Sequence, residues 1–164
     1  MAHPVLELRQ LRRIFPGYEL GPISLRFDQG SIYGLLGPNG TGKTTLFDLI
    51  ALQLKPTAGN LLSNGCPIRW REREWTTRLS YIRERPTFYD ALTITQTLHL
   101  ASQLYGNWDT ALAERLVRHF QLDPYRPIGR LSKGSQVQIG LITALAHRAE
   151  LLLLDEPTAG LDPT

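Results

Sequence analysis

Gly37–Thr45 reads Gly-Pro-Asn-Gly-Thr-Gly-Lys-Thr-Thr, which sets two glycines, a lysine and a threonine at the spacing of a phosphate-binding loop. Such a loop must wrap a polyphosphate with its backbone N–H groups pointing inward, and glycine permits the positive φ this needs. The candidate contacts are Gly37, Pro38, Asn39, Gly40, Thr41, Gly42, Lys43, Thr44 and Thr45. Lys43 can reach the β- and γ-phosphates, and the Thr44 hydroxyl can hold Mg2+. Random sequence of this length matches the pattern in roughly one chain in two hundred at average residue frequencies. Nucleotide binding is therefore the first expectation, against a glycine-rich turn that happens to carry Lys and Thr.

Two further constellations lie downstream. Leu151–Leu154 is an aliphatic run ending in Asp155 and Glu156. An apolar strand that carries a carboxylate to a sheet edge can set Asp155 beside Mg2+, and Glu156 can orient or deprotonate a water. Alone the pattern is weak, because many strands end in acid for solubility. Leu131–Gln136 reads Leu-Ser-Lys-Gly-Ser-Gln, just ahead of a helical pattern. Ser132 suits a helix N-cap. A hydroxyl and free N–H groups at a helix start also make an anion site.

The elements that must position these residues are readable. Ser31–Leu36 is a short apolar run and predicts a buried parallel strand ahead of the loop. Leu46, Phe47, Leu49, Ile50 and Leu54 then recur at helical spacing, with Pro56–Gly59 as the stop. Val5–Leu11 and Ile23–Phe27 predict earlier strands, punctuated by Pro16-Gly17 and Gly21-Pro22. Asn60–Ser63 and Leu79–Ile82 predict two more, the first closed by the hairpin signal Asn64-Gly65. Thr93–Tyr105, Asp109–Phe120 and Ser132–Ala146 read as helices. In the second, Leu112, Leu116, Val117 and Phe120 share a face; in the third, Val137, Leu141, Ile142 and Leu145 do. The expected organisation is a mixed-sheet core, 1–85 and 150–164, interrupted by a helical insertion, 86–149.

Composition sets the bounds. The chain has 164 residues, 42% hydrophobic and 20% charged, which suits one globular domain. No stretch approaches the roughly 18 apolar residues of a membrane span, and no signal peptide is evident at Met1–Val5. The single cysteine, Cys66, excludes an internal disulfide, suggests a reducing compartment and reads as a turn residue. Net charge is +3, and Arg69, Arg71, Arg73, Arg78, Arg83 and Arg85 interleave with Glu72, Glu74 and Glu84. Mixed signs favour a solvated face, so no nucleic-acid partner is expected.

The phosphate loop Gly37–Thr45, then Leu131–Gln136, then Leu151–Asp162 occur in the order found in ATP-binding subunits of ABC transporters, and the chain resembles that family along its whole length. It is most similar to bacterial exporter-type subunits of the drug- and antibiotic-efflux kind, through its Leu-Ser-Lys-Gly signature and the stretch Leu104–Asp109. The resemblance implies an α/β P-loop NTPase: an ABC-type ATPase core with a mixed sheet and an inserted α-helical subdomain. It implies ATP and Mg2+ as ligands, with Thr44, Asp155 and Glu84 toward the metal. Glu84 stands where the family has glutamine, and a surface pairing with Arg83 or Arg85 competes with the metal role. Phe15 matches the residue that stacks on adenine, with Tyr18 as runner-up. Ser132 and Gly134 match the signature contacts to the γ-phosphate held by a second subunit. Lys133 replaces the more usual glycine and Ser135 the usual glutamine.

The resemblance further implies a head-to-tail pair of ATP-binding subunits, homodimeric or heterodimeric. The pair would dock through Pro86–Thr97 on a transmembrane permease subunit, at the cytoplasmic, inner face of the membrane. Asp162 matches the loop that joins the two halves. A soluble ABC ATPase and a non-catalytic nucleotide-binding remnant are the other classes. The family's domain continues into a histidine switch, and no histidine follows Glu156, so the C-terminal part is expected to be incomplete. His147 reads as a helix-end residue near the C-terminal dipole. His3, His99 and His119 have no motif support.

Overall fold

The computed structural model describes residues 4–156. Asp162 lies outside the described residues. The chain divides into two units, residues 1–76 and 77–164.

In the first unit, β1 (Leu6–Phe15) and β2 (Tyr18–Phe27) form a long antiparallel hairpin turning at Pro16-Gly17. Both strands run further than their apolar patterns, because the turn extends the pairing outward until Phe15 faces Tyr18. Leu6, Leu8 and Leu11 are buried, and the register shifts after Leu8, where Gln10 takes φ 50°. That bulge lets Leu11 turn inward out of strict alternation. The strand β3 (Ala58–Ser63) adds to the other side of β1, and the two-residue strand β4 (Cys66–Pro67) follows it, giving the order β2-β1-β3-β4. Asn64 and Gly65, at φ 50° and 81°, make the tight turn expected of their sequence. Cys66 is thus the first residue of a short strand, exposed and with a free thiol.

Helix α1 (Lys43–Ile50) follows the phosphate loop and buries Leu46, Leu49 and Ile50. It stops short of Leu54: Ala51 is the C-cap and Leu52 turns left-handed at φ 55°. The arginine-rich stretch holds an unexpected helix, α2 (Arg73–Arg78). Its anchor is Trp75, 2% exposed, whose indole N–H donates to the Ile50 carbonyl at 2.7 Å.

The predicted strand at Ser31–Leu36 does not form. Ile32 and Leu36 are almost fully exposed, and among the described residues no strand pairs with this stretch. Apolar propensity becomes a strand only where a neighbour takes up the backbone hydrogen bonds. The stretch is instead held through Tyr33, which packs edge-on against Phe27 and whose hydroxyl accepts from the Asp28 N–H at 3.0 Å.

In the second unit, β5 (Leu79–Ile82) pairs in parallel with β6 (Leu151–Leu154). Between them run α3 (Ile94–Leu104), α4 (Thr110–His119), a 3-10 turn (Ile128–Arg130) and α5 (Lys133–Ala146). Thr93, Asp109 and Ser132 cap the three helices with their side-chain oxygens. Their core gathers Ile94, Ala113, Val117, Ile128, Ile139, Ile142 and Ala146. On α4 the expected face is right, with Ala113 deepest beside Val117. On α5 the buried stripe runs through Val137, Ile139, Ile142 and Ala146, while Leu145 is 44% exposed. The helix is apolar nearly all round, so periodicity alone does not choose its face.

Candidate functional site

The phosphate loop leads directly into α1, with Gly42 as N-cap and Lys43 as the first helical residue. Gly40 and Gly42 hold φ 81° and 94°. Gly42 has no room for a side chain: a Cβ would sit 2.5 Å from the Tyr18 hydroxyl and 2.7 Å from Leu20 Cδ1. Lys43 Nζ donates to the carbonyls of Gly37 and Pro38, at 2.7 and 2.9 Å, and so lies along the loop. The Thr41 hydroxyl donates to Pro38 O at 2.9 Å. Gly37, Pro38, Asn39, Gly40 and Thr41 are exposed, as is Thr44, while Thr45 is half-buried. Helix α1 carries no acidic residue in its first turn, so nothing offsets the positive end of its dipole there.

The tip of the β1–β2 hairpin brings Tyr18 to this loop, with Phe15 beside it. Phe15 and Tyr18 stack with centroids 6.0 Å apart and 26° between planes. The Arg13 guanidinium lies 5.0 Å above the Phe15 ring. Tyr18 hydroxyl donates to the Thr41 carbonyl at 3.3 Å. The Tyr18 link to the loop was not foreseeable from spacing, since it depends on the hairpin register.

In the second unit, the parallel register sets Ile82 opposite Leu154. The Asp155 N–H continues that ladder to Ile82 O at 2.9 Å. Glu84, Asp155 and Glu156 therefore emerge at one end of one strand pair. Asp155 is 7% exposed, and Tyr81 hydroxyl donates to its Oδ2 at 3.4 Å. Glu84 is exposed, and the neighbouring Arg83 guanidinium lies 5.2 Å from the Tyr81 ring. Glu156 holds φ 48°, a left-handed conformation that non-glycine residues seldom adopt and that is found often at functional sites. Tyr81 is a contact the sequence does not announce, because the sheet register makes it.

At the start of α5 the capping geometry is plain. Ser132 Oγ accepts from the Ser135 N–H at 3.1 Å and lies 3.0 Å from Ser135 Oγ. Gly134 sits in the first turn and is half-buried; Lys133 is exposed. Gln136 points away from this turn, its amide donating to Ile128 O at 3.3 Å. His147 is the C-cap of the same helix, as its position implies, but it is buried rather than solvated.

The residues proposed for a metal offer hard oxygen donors: the Thr44 hydroxyl in the first unit, the Asp155 and Glu84 carboxylates in the second. That chemistry suits Mg2+.

The ABC transporter family model matches residues 20–159. The chain is 33% identical to the ABC transporter ATP-binding protein YtrB of Bacillus subtilis (strain 168) over 159 residues, which are 96% of this chain and 54% of that protein. It is 36% identical to the bacitracin transport ATP-binding protein BcrA of Bacillus licheniformis over 143 residues, 86% of this chain and 47% of that one. It thus spans about half the length of the curated relatives it matches. A solved ATP-binding subunit of an ABC transporter superposes with a TM-score of 0.86 at 30% identity, over 97% of this chain and 69% of that chain. CbiO1 of Clostridium perfringens, part of the transporter complex cbiONQ, shares the fold with a TM-score of 0.77 at 23% identity, over 98% of this chain and 68% of that chain. With its phosphate loop running into α1, and an inserted helical subdomain between β5 and β6, this α/β P-loop NTPase belongs to the ABC transporter family.

Proposed function

We propose that the chain is the ATP-binding, ATP-hydrolysing part of an ABC transporter. Two copies or near-copies would pair head to tail and drive export through a separate permease subunit at the inner face of the membrane. Residues 1–164 would form a single nucleotide-binding domain, with 1–85 and 150–164 as core and 86–149 as helical subdomain. The observation that carries the reading is the glycine loop entering α1 with Lys43 at the first helical position.

In this reading Phe15, backed by Tyr18, stacks on the adenine. The loop amides and Lys43 hold the β- and γ-phosphates. The Thr44 hydroxyl and the Asp155 carboxylate would hold Mg2+, with Glu84 alongside, and the ion supplies charge neutralisation at the phosphate oxygens. Glu156 takes a proton from the attacking water. Ser132 and Gly134 of the second subunit close over the γ-phosphate. Most of the rate enhancement is positioning and charge neutralisation. Pro86–Thr97 would meet the permease, and export rests on the similarity to BcrA, a bacitracin transport protein.

The test is ATP binding and turnover by the full-length protein. Lys43→Ala should abolish binding, and Glu156→Gln should keep binding while losing turnover. Unchanged affinity in Lys43→Ala refutes the assignment.

A further inference from the structure

Among the described residues, the mechanism leaves one buried titratable side chain without a role. His147, the C-cap of α5, is 3% exposed. Its ring lies against Tyr105, with centroids 4.1 Å apart and 22° between planes. Both ring nitrogens are engaged. Nε2 is 2.8 Å from the Thr77 carbonyl oxygen, and Nδ1 is 2.9 Å from Ser80 Oγ. A carbonyl only accepts, so Nε2 carries the hydrogen and donates it. In the neutral ring Nδ1 then accepts from the Ser80 hydroxyl. Ser80 is itself buried, within β5. The ring therefore joins the end of α5 to the start of the strand that leads to Glu84.

Two further contacts brace the same corner. The Asp109 N–H donates to Ala146 O at 2.7 Å, and Arg148 pairs with the Asp109 carboxylate at 2.7 Å. The partly exposed Arg148–Asp109 ion pair contributes little by itself. The His147 contacts are buried, where a polar group left without its partner is expensive. An apolar side chain could slide against β5, whereas two directed hydrogen bonds accept one placement.

Helix α5 (Lys133–Ala146) is capped by Ser132 and His147; four residues after His147, β6 begins at Leu151 and runs to Leu154, next to Asp155. We propose that His147 is a positioning residue for ATP hydrolysis. It fixes α5, and with it Ser132 and Gly134, against the strand pair whose edge carries Glu84, Asp155 and Glu156. This rests on the nucleotide-hydrolysis reading above. Small misplacements of groups around reacting atoms cost rate more than affinity.

The experiment measures ATPase kinetics of the full-length protein in its assembled state. His147→Phe keeps a ring of similar size against Tyr105 but makes neither hydrogen bond. It should lower kcat about tenfold, while KM for ATP stays within about twofold. His147→Gln can again donate to Thr77 O and should recover to within about threefold of wild type. Ser80→Ala removes only the hydroxyl partner and should lower kcat about threefold, and it decides the matter if His147→Phe does not fold. Unchanged kcat in a folded His147→Phe, a loss matched by an equal rise in KM, or no recovery in His147→Gln overturns the proposal. So does unchanged kcat in Ser80→Ala where His147→Phe fails to fold. Lys43→Ala separates the failures: turnover that survives it, or a wild type with no turnover, sinks the nucleotide reading and this proposal with it.

Discussion

Gly42 shows how one missing atom shapes the site. Its φ of 94° and the Tyr18 and Leu20 atoms beneath it both exclude a side chain. Gly42→Ala should therefore destabilise the protein by about 1–3 kcal/mol. It should also weaken ATP binding, because relief of the clash must move the loop or both Tyr18 and Leu20 beneath it. Calorimetric titration with ATP and thermal unfolding would check the two effects separately. Trp75 is a second single-residue anchor. Trp75→Phe keeps most of the apolar volume but leaves the Ile50 carbonyl without its indole donor, and should cost about 1–2 kcal/mol in denaturant unfolding. The glycine requirement was legible in the sequence as part of a loop pattern. The Tyr18 contact behind it was not, since nothing in the spacing says which side chain will lie under Gly42.

Among the elements, the three long helices of the second unit carry the same device at their starts: a side-chain oxygen accepting a first-turn N–H. This allows structure and function to be separated. Thr93→Ala and Ser132→Ala should each cost about 1 kcal/mol as lost caps. Only Ser132→Ala should in addition lower ATP turnover of the assembled protein, because the proposed function sets only Ser132 against the γ-phosphate. Equal turnover in the two variants would reduce Ser132 to a cap. Helix termini were readable because Thr93, Asp109 and Ser132 announce themselves locally. The apolar run Ser31–Leu36 satisfies the strand pattern, but strand formation depends on a neighbour. The α2 helix shows no apolar periodicity, because charged residues dominate the stretch and a single buried Trp75 anchors it.

For the molecule as a whole, ligand binding and pH should both register in stability. If the phosphate loop holds ATP in the folded state alone, ATP at about a hundred times its Kd should raise stability by about 2.7 kcal/mol. Lys43→Ala should erase that increment in thermal shift. The pH dependence follows from two carboxylates in the second unit. A hydrogen bond from Arg78 holds the Glu150 carboxyl below its ordinary 4.5, and one from Arg148 holds Asp109 below its ordinary 3.8. Depressed carboxyl groups stabilise the fold above those ordinary values and lose that contribution as the pH falls through their folded values. Stability should thus decline from about pH 4.5 downward, and Arg78→Gln should flatten the upper part of that decline. Both pairs are partly exposed, so the slope should be shallow and should weaken with added salt.

What the sequence determined by itself is local: the phosphate loop, the helix caps, the Asn64-Gly65 turn, and the acid-ended strand at Asp155. Each depends on residues a few positions apart, whose backbone preferences and hydrogen bonds close within one turn. The tertiary structure decided what depends on partners distant in the chain. Parallel pairing of β5 with β6 brings Glu84, Asp155 and Glu156 to one edge. The hairpin register sets Phe15 against Tyr18. His147 finds Thr77 and Ser80 across 70 and 67 positions of chain. Such contacts form through packing and strand pairing between distant segments, and no local spacing specifies them.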